Sequence, residues 1–361
     1  MRPVRTTITA TIVWGTAVVV AASSATAVTS SAARSDGGPS GKRVLAAAGA
    51  PFQIARARGT IFWTDGSDQT INRLTKRGPV VAFDFSLADS VAGVEFSRNG
   101  RTMAVAHGGL STRLPARVSL VRRGKPAIHA NLDQYEKNVN PDRNRTYGIV
   151  SAGATPECKE QIARRMGVPA TYKGIKDSNP HQLARLPGGA FAVADSGANA
   201  ILRVSRAGRI STIALLPPQP VRLTQAHANA LDSPDCAGVT YAFEPVPTDV
   251  EVGRRGVLWV TTLPGGTESA DGGARGGLYR IKNGVVTRMA GGFLGATNLA
   301  LAGGRFYVTE FFGGKVTMLG QGTRATRYWI SQAVSIEATR KHLYVGTGVI
   351  GVVGDILRLR R

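Results

Sequence analysis

Cysteine, aromatic side chains and negative charge are all scarce in this sequence of 361 residues. Two cysteines are too few for a thiolate metal cluster, and 6% aromatic residues without a stacking stripe argue against a single-stranded nucleic-acid binder. Only 23 Asp and Glu stand against 45 Lys and Arg, so the formal net charge is +22. This excess predicts an anionic partner. A hydrophobic content of 43% excludes a disordered chain.

The common enzyme signatures are also missing. The sequence contains no G-x-S-x-G, no H-E-x-x-H, no Walker motif and no dinucleotide-binding fingerprint. It therefore names no reaction, and whether the protein is an enzyme stays open at this level. What the chain does have is 44 Gly and 18 Pro, which favour many turns over long helices.

A long hydrophobic run is missing as well. The apolar stretch Ile12–Ala22 is shorter than the roughly 20 residues that cross a bilayer. Arg2 and Arg5 precede it, and Ala25–Ala27 matches a small-residue cleavage signal, so residues 1–27 are predicted to be a signal peptide cleaved after Ala27. Residues 28–42 are predicted to form a flexible leader. We therefore expect a secreted, extracellular protein with no transmembrane span after signal removal and no nucleic-acid partner.

The two cysteines lie in segments that interrupt the regular pattern of the chain. Cys158 and Cys236 belong to predicted insertions at about 134–178 and 218–245, which the sequence presents as irregular stretches. An oxidising compartment favours a disulfide between them, and the alternative is two free, buried thiols.

Internal repetition is the most informative feature of the sequence. Short apolar strands end in a polar or turn residue and recur at intervals close to the roughly 40–50 residues of a propeller blade. Each follows a turn, and another short strand comes before and after it. The six recurring strands are Ile61–Asp65, Met103–His107, Phe191–Asp195, Leu258–Thr262, Phe306–Glu310 and Leu343–Thr347.

These repeats predict an all-β protein, a single six-bladed β-propeller with four-stranded blades over residues 43–361. The last unit ends with its third strand, and Arg43–Ala48 is similar to Val285–Ala290, which closes the fourth unit. We therefore expect residues 43–48 to supply the outer strand of the final blade and to close the ring.

Several segments resemble known repeats. Phe191–Val204 is similar to an NHL-type propeller repeat. Asn179–Gly189 and Tyr241–Gly253 resemble the ScyD/ScyE family of exported bacterial proteins. The resemblance covers essentially the whole mature chain and implies a propeller fold. It implies no particular reaction.

The first strand of each unit supplies the candidate site. Because residues two apart share a face of a strand, one face of these strands would line a central channel. His181 would lie at the channel mouth, as a general base or in a structural hydrogen bond. The channel-lining candidates are Gln53, Glu95, His181, Gln182, Asp249, Glu251, Asn298 and Glu337.

Oxygen-bearing side chains in this channel suggest a hard cation, and Ca²⁺ prefers six to eight oxygen ligands. The predicted metal ligands are Glu95, Asp249, Asn298 and Glu337. The alternative is an ordinary polar, water-filled channel.

Two functions remain from the sequence. The first is a binding or interaction module whose positively charged rim takes an anionic cell-envelope polymer or a small molecule. The alternative is a channel-metal hydrolase or lactonase-like enzyme that uses Ca²⁺, by analogy with other six-bladed propellers.

Overall fold

The computed structural model describes residues 41–85, 90–109, 114–267, 269–320 and 322–361. The predicted signal peptide and nearly all of the predicted leader lie outside the described residues. Within them, no helix is both long enough and apolar enough to cross a bilayer.

Strands dominate the described part of the chain. The strands before residue 135 are β1 (Arg43–Ala48), β2 (Ile54–Ala57), β3 (Thr60–Asp65), β4 (Thr70–Thr75), β5 (Gly78–Asp84), β6 (Val91–Phe96), β7 (Thr102–His107), β8 (Arg117–Arg122) and β9 (Lys125–Asn131). Those of the middle are β10 (Thr146–Ile149), β11 (Thr171–Lys173), β12 (Pro180–Arg185), β13 (Phe191–Asp195), β14 (Ala200–Val204), β15 (Ile210–Leu215), β16 (Gln219–Arg222) and β17 (Thr240–Phe243). The remaining strands are β18 (Pro247–Val252), β19 (Leu258–Thr262), β20 (Gly276–Lys282), β21 (Val285–Phe293), β22 (Ala296–Ala302), β23 (Arg305–Glu310), β24 (Lys315–Gly320), β25 (Thr323–Trp329), β26 (Ala333–Ala338), β27 (His342–Thr347) and β28 (Gly354–Arg360).

Helices are few and short. The α-helices are α1 (Leu132–Val139), α2 (Pro156–Met166) and α3 (Gln225–Ala230), and single 3₁₀ turns cover Pro187–Gly189, Pro234–Cys236, Arg254–Gly256 and Ala270–Gly272.

Each sheet has four antiparallel strands. Five sheets follow chain order, β2 to β5, β6 to β9, β12 to β15, β18 to β21 and β22 to β25. The six recurring strands predicted from the sequence are confirmed as the second strands β3, β7, β13, β19, β23 and β27, each starting within one residue of its predicted start. They read as continuous apolar runs because each sheet packs against a neighbour on both faces.

The N-terminal strand belongs to the sheet at the end of the chain. β1 pairs with β28, Arg43 opposite Arg358 and Ala48 opposite Gly354, and the sheet order is β1-β28-β27-β26. This pairing confirms the prediction that residues 43–48 supply the outer strand of the final sheet.

The core is divided into separate clusters between successive sheets. Ala55 and Ile71 pack with Val94 and Val105 between the first two sheets in chain order. Five further clusters repeat this arrangement around the molecule, and the last joins the final sheet to the first through Ile356 and its neighbours. The first strands β2, β6, β12, β18, β22 and β26 likewise contact one another in cyclic order. The described residues thus form an all-β protein of four-stranded antiparallel sheets.

The two insertions are not irregular, contrary to the prediction. They form a sheet of their own, in the order β11-β10-β17-β16, together with α2 and α3. The reason is that each insertion supplies one pair of short strands, β10 with β11 and β16 with β17, and the four-stranded sheet is completed where β10 lies beside β17. Short segments that pair across a long stretch of chain carry little local signal.

A disulfide confirms the predicted link between the insertions. Cys158 and Cys236 are bonded, with an S–S distance of 2.07 Å and a Cα–Cα distance of 4.8 Å. Both cysteines are fully buried in a cluster that includes Ile162, Leu231 and Tyr241.

Candidate functional site

The connections between strands give the molecule two different ends. Turns from first to second strands and from third to fourth strands lie at one end, which we call the turn end. Connections from one sheet to the next lie at the opposite end, and there residues 132–179 and 216–246 form the insertions. We call this the insertion end.

A large cleft opens at the turn end. It has a volume of about 1630 Å³ and reaches across the turns of three sheets, from Arg58 through Ser97–Arg101 to Arg206. Among the residues that the structure describes, no Asp or Glu lines it. We call it the basic cleft, after the eight cationic residues in its wall: Arg58, Arg98, Arg101, Arg122, Arg123, Lys125, Arg185 and Arg206.

Part of the cleft wall is held in place by the backbone. Arg58 donates from Nε and Nη2 to the Asn99 carbonyl, at 3.0 and 2.7 Å. Arg122 donates to the Arg206 carbonyl at 2.8 Å. Within the described ranges, none of the eight cations forms a salt bridge. The cleft therefore presents a cluster of positive charge, of which Arg185 also interacts with the Glu95 carboxylate.

The predicted channel residues lie on the first strands or directly before them, and several connect neighbouring strands. Gln53 precedes β2, and its Oε1 accepts from the backbone N–H of Val94 at 2.8 Å while its Nε2 donates to the Leu183 carbonyl at 2.8 Å. Gln182 in turn donates to the Phe52 carbonyl. Gly93 leaves room for the Gln53 side chain and the neighbouring strand, because a Cβ at this position would lie 3.1 Å from Gln53 Oε1 and 2.3 Å from the His181 carbonyl.

Two of the predicted metal ligands, Asn298 and Asp249, also connect neighbouring first strands through hydrogen bonds. Asn298 Oδ1 accepts from the backbone N–H of Ile336 at 2.8 Å. Asp249 accepts from Val250 with one oxygen, at 2.7 Å, and from Leu299 with the other, at 2.8 Å. These buried side chains join β18 to β22 and β22 to β26.

Four carboxylates on the first strands come close enough to affect one another. Burial raises the pKa of Glu95 to about 7 and that of Asp249 to about 7. Burial and the Glu95 charge raise the pKa of Glu337 to about 8. The pKa of Glu251 lies well above its usual value because of burial and the three neighbouring carboxylates. With pKa values of about 7 to 8, Glu95, Asp249 and Glu337 are partly protonated at neutral pH.

The predicted ligand set fits Ca²⁺ poorly. Both oxygens of Asp249 and the amide oxygen of Asn298 already accept backbone N–H groups. Glu95 Oε1 accepts from Phe96 at 2.5 Å. Throughout the part of the chain that the structure describes, no three His, Cys, Asp or Glu side chains come together as metal ligands. We derive no chemical step from a metal here.

His181 is a hydrogen-bonded residue near the start of β12. Its Nδ1 lies 2.9 Å from the Thr248 carbonyl, and because a carbonyl only accepts, Nδ1 carries the proton. Burial lowers the pKa of His181 to about 4, so the ring is neutral at neutral pH. Phe52 packs against it at 6.1 Å between ring centroids.

Sequence reasoning missed two features. It found a general basic surplus but not its concentration in one cleft, although basic turns such as Arg254–Gly256 already recur before the second strands. It also missed a buried acidic group around Glu136, for which the only signal is that acidic and amide residues occupy every second position from Glu136 to Asn144.

Comparison with known proteins bears on the fold. No protein-family model and no curated protein matches the chain. The PQQ-bound aldose sugar dehydrogenase from Streptomyces coelicolor is 12% identical, with a TM-score of 0.51 over 88% of this chain and 96% of that one. A Thermus thermophilus structure assigned as a glucose dehydrogenase is 14% identical, with a TM-score of 0.51 over 88% and 99%. A structure assigned as a gluconolactonase is 13% identical, with a TM-score of 0.50 over 89% and 92%.

At these identities the similarity concerns the fold alone. The chain is an all-β protein whose structural neighbours are β-propellers. The ScyD/ScyE resemblance stays a prediction.

Proposed function

We propose that this protein is an exported six-bladed β-propeller that binds an anionic cell-envelope polymer in the basic cleft. The observation that carries the proposal is the cleft itself, with eight cationic side chains and no carboxylate of the described residues around about 1630 Å³. Seven of the eight are arginines, whose planar guanidinium groups bind phosphate and carboxylate through paired hydrogen bonds.

The dimensions of the cleft favour a chain of anions over a single small molecule. Pockets for small molecules usually enclose roughly 300–1,000 Å³ and are mostly apolar. The basic cleft is larger and spans the turns of three successive sheets, so its charges can meet several repeating units of one polymer.

Five exposed cations in the cleft are available for this contact: Arg98, Arg101, Arg123, Lys125 and Arg206. The other three, Arg58, Arg122 and Arg185, donate to backbone carbonyls that fix the shape of the wall. A ligand is therefore expected to meet the first five side chains. This distinction also says which residues can be replaced without disturbing the turns.

The experiment is an equilibrium binding titration with fluorescently labelled polyglycerol phosphate, a wall-type polyanion. The test variant carries Arg98→Gln, Arg101→Gln and Arg123→Gln. At about 1 kcal/mol for each of the three cations near an anionic surface, it should bind roughly 100-fold more weakly than the wild type.

The matched control removes the same amount of charge at the insertion end. Lys159→Gln, Arg164→Gln and Arg222→Gln replace exposed cations outside the cleft. This control should bind nearly as well as the wild type. Equal losses in the two triple variants would mean that only net charge matters and would overturn the proposal.

The alternative function is a hydrolase or lactonase that uses a metal in the channel. The structural similarity to a protein assigned as a gluconolactonase supports it. Elemental analysis of the purified protein, followed by a panel of lactones and esters with and without chelator, separates the two. Turnover that chelator abolishes would favour the enzyme, and no turnover on this panel leaves the binding module.

A further inference from the structure

Helix α1 has a glutamate, Glu136, at a buried position where an amphipathic helix normally has an apolar residue. Leu132 and Glu136, one turn apart, are the buried residues of this helix. Glu136 is 1% exposed, and neither of its carboxylate oxygens has a hydrogen-bond partner among the described residues. Buried carboxylates are normally paired, hydrogen-bonded or bound to a metal.

The surroundings of Glu136 add negative charge. Burial and four carboxylates, Asp195, Asp142, Asp177 and Asp133, raise the pKa of Glu136 to about 9. The largest effects on Glu136 beside burial all come from carboxylates. The nearby cations act on other groups: Arg145 lowers the pKa of Asp142, and Arg143 donates to the Asn140 carbonyl at 3.3 Å.

A second unpartnered oxygen belongs to Asn140, which ends α1 in the left-handed conformation. Asn140 is 8% exposed, and its Nδ2 donates to the Gly174 carbonyl at 3.0 Å. Because a carbonyl only accepts, the amide nitrogen must face Gly174, and Oδ1 points elsewhere without a donor from the residues that the structure describes. The backbone N–H of Asn140 donates to the Glu136 carbonyl at 2.9 Å, so the two residues are one helical turn apart.

Asp142 supplies a third unpartnered oxygen. It is 1% exposed, and its Oδ2 accepts from Tyr147 Oη at 2.9 Å and from Asn199 Nδ2 at 3.1 Å. Its Oδ1 has no partner within the described ranges. Carboxylates that bind metals are usually oriented by hydrogen bonds to one oxygen, which leaves the other oxygen free for the metal.

We propose that Glu136, Asn140 and Asp142 form a binding site for one Ca²⁺ ion at the insertion end. All the atoms that would bind the metal are oxygens, which suits a hard cation and not zinc or copper. Two carboxylates and one amide oxygen leave room for water or backbone carbonyls, and Ca²⁺ tolerates such irregular sets of six to eight oxygens.

The position of the site suggests a structural role for the ion. Glu136 follows β9, Asn140 contacts the segment before β12, and Asp142 contacts Tyr147 on β10 of the insertion sheet. A bound Ca²⁺ would therefore join the insertion sheet to the sheets on either side of it.

The test is thermal unfolding of the purified protein after removal of metals with EDTA, with CaCl₂ then added back, together with elemental analysis. One Ca²⁺ per chain is expected, and the melting temperature should rise by about 5 °C when free Ca²⁺ is about 100 times its Kd. The same titration with MgCl₂ should give a smaller shift, because Mg²⁺ demands a regular octahedron and dehydrates reluctantly.

Single substitutions test whether the Ca²⁺-dependent rise in melting temperature comes from this site. Glu136→Gln should abolish the Ca²⁺-dependent shift, yet melt in EDTA close to the wild-type temperature, because the metal-free Glu136 carboxyl, with its pKa raised to about 9, is already neutral at neutral pH. Asp142→Asn, which keeps an acceptor for Tyr147, should weaken Ca²⁺ binding at least about tenfold. Glu337→Gln, the matched control among the first-strand carboxylates, should keep the full shift. Absence of bound Ca²⁺ in the wild type, or a shift that survives Glu136→Gln, would overturn the proposal.

Discussion

The carboxylate of Asp249 on β18 accepts the backbone N–H of Leu299 on β22 at a distance of 2.8 Å. The bond crosses from one sheet to the next, and Asn298 repeats it one sheet further on, to Ile336. Side chains that the sequence marks as metal ligands thus connect the first strands directly. Their role in the structure is to satisfy buried backbone groups at the boundaries between sheets.

The first prediction concerns Asp249→Ala. This change leaves the buried N–H groups of Leu299 and Val250 without their acceptor, so the free energy of unfolding should fall by about 1–3 kcal/mol. Urea denaturation measures the change, and Glu157→Ala, at an exposed position on α2, should stay within about 0.5 kcal/mol of the wild type.

Asp249→Ala also tests the alternative that Ca²⁺ binds to the carboxylates of the first strands. If Ca²⁺ binds at α1 as proposed, Asp249→Ala keeps its Ca²⁺-dependent thermal shift. Loss of that shift in Asp249→Ala, with the shift intact in Glu136→Gln, would instead place the ion among the first-strand carboxylates.

The second prediction concerns pH. Burial raises the pKa values of Glu95, Asp249 and Glu337 in the folded protein to about 7, 7 and 8. The folded state therefore holds more protons than the unfolded chain above about pH 4.5, and the stability that these protons provide is lost as the pH rises through 7 and 8. We expect the free energy of unfolding to fall by several kcal/mol between pH 5 and pH 8.

Unfolding experiments in EDTA across this pH range measure the slope. Glu95→Gln combined with Glu337→Gln should make the slope shallower, because two of the titrating carboxylates are replaced by glutamine, which does not titrate. A wild-type stability that rises with pH, or a slope that the double variant leaves unchanged, would show that other groups control the dependence.

The third prediction concerns the N-terminal strand. Deleting residues 28–50 removes β1 and its pairing with β28, and exposes an edge of the final sheet. At about 1 kcal/mol for each hydrogen bond, the loss is roughly 5 kcal/mol, or about 10 °C in melting temperature. Deletion of residues 28–40 alone, which spares β1, serves as the control. A full deletion that melts like the wild type would mean that the strand adds nothing to stability.

The repeated strands were predictable because their signal is local. Phe191–Asp195 is a short apolar run after a glycine turn, and the structure places β13 on the same five residues. The pairing of Arg43–Ala48 was predictable for a different reason, since a sheet with only three strands at the end of the chain needs a fourth from elsewhere.

The sheet of the insertions and the cleft could not be predicted in the same way. Thr171–Lys173 is three residues long and becomes a strand only because β10 lies beside it. Arg58 and Arg206 are far apart in sequence, and only the arrangement of the sheets brings their turns to one cleft. Alternation placed four carboxylates on one face but did not reveal that backbone N–H groups already occupy Asp249.

The salt dependence of polyglycerol phosphate binding tests the central claim most directly. Binding by several cations releases counterions, so the logarithm of the association constant should fall linearly with the logarithm of the NaCl concentration. The magnitude of that slope should be smaller by about 2 in the triple variant Arg98→Gln, Arg101→Gln and Arg123→Gln. It should be unchanged in the control variant Lys159→Gln, Arg164→Gln and Arg222→Gln. A slope that is the same in the wild type and in the cleft variant would contradict binding through the basic cleft.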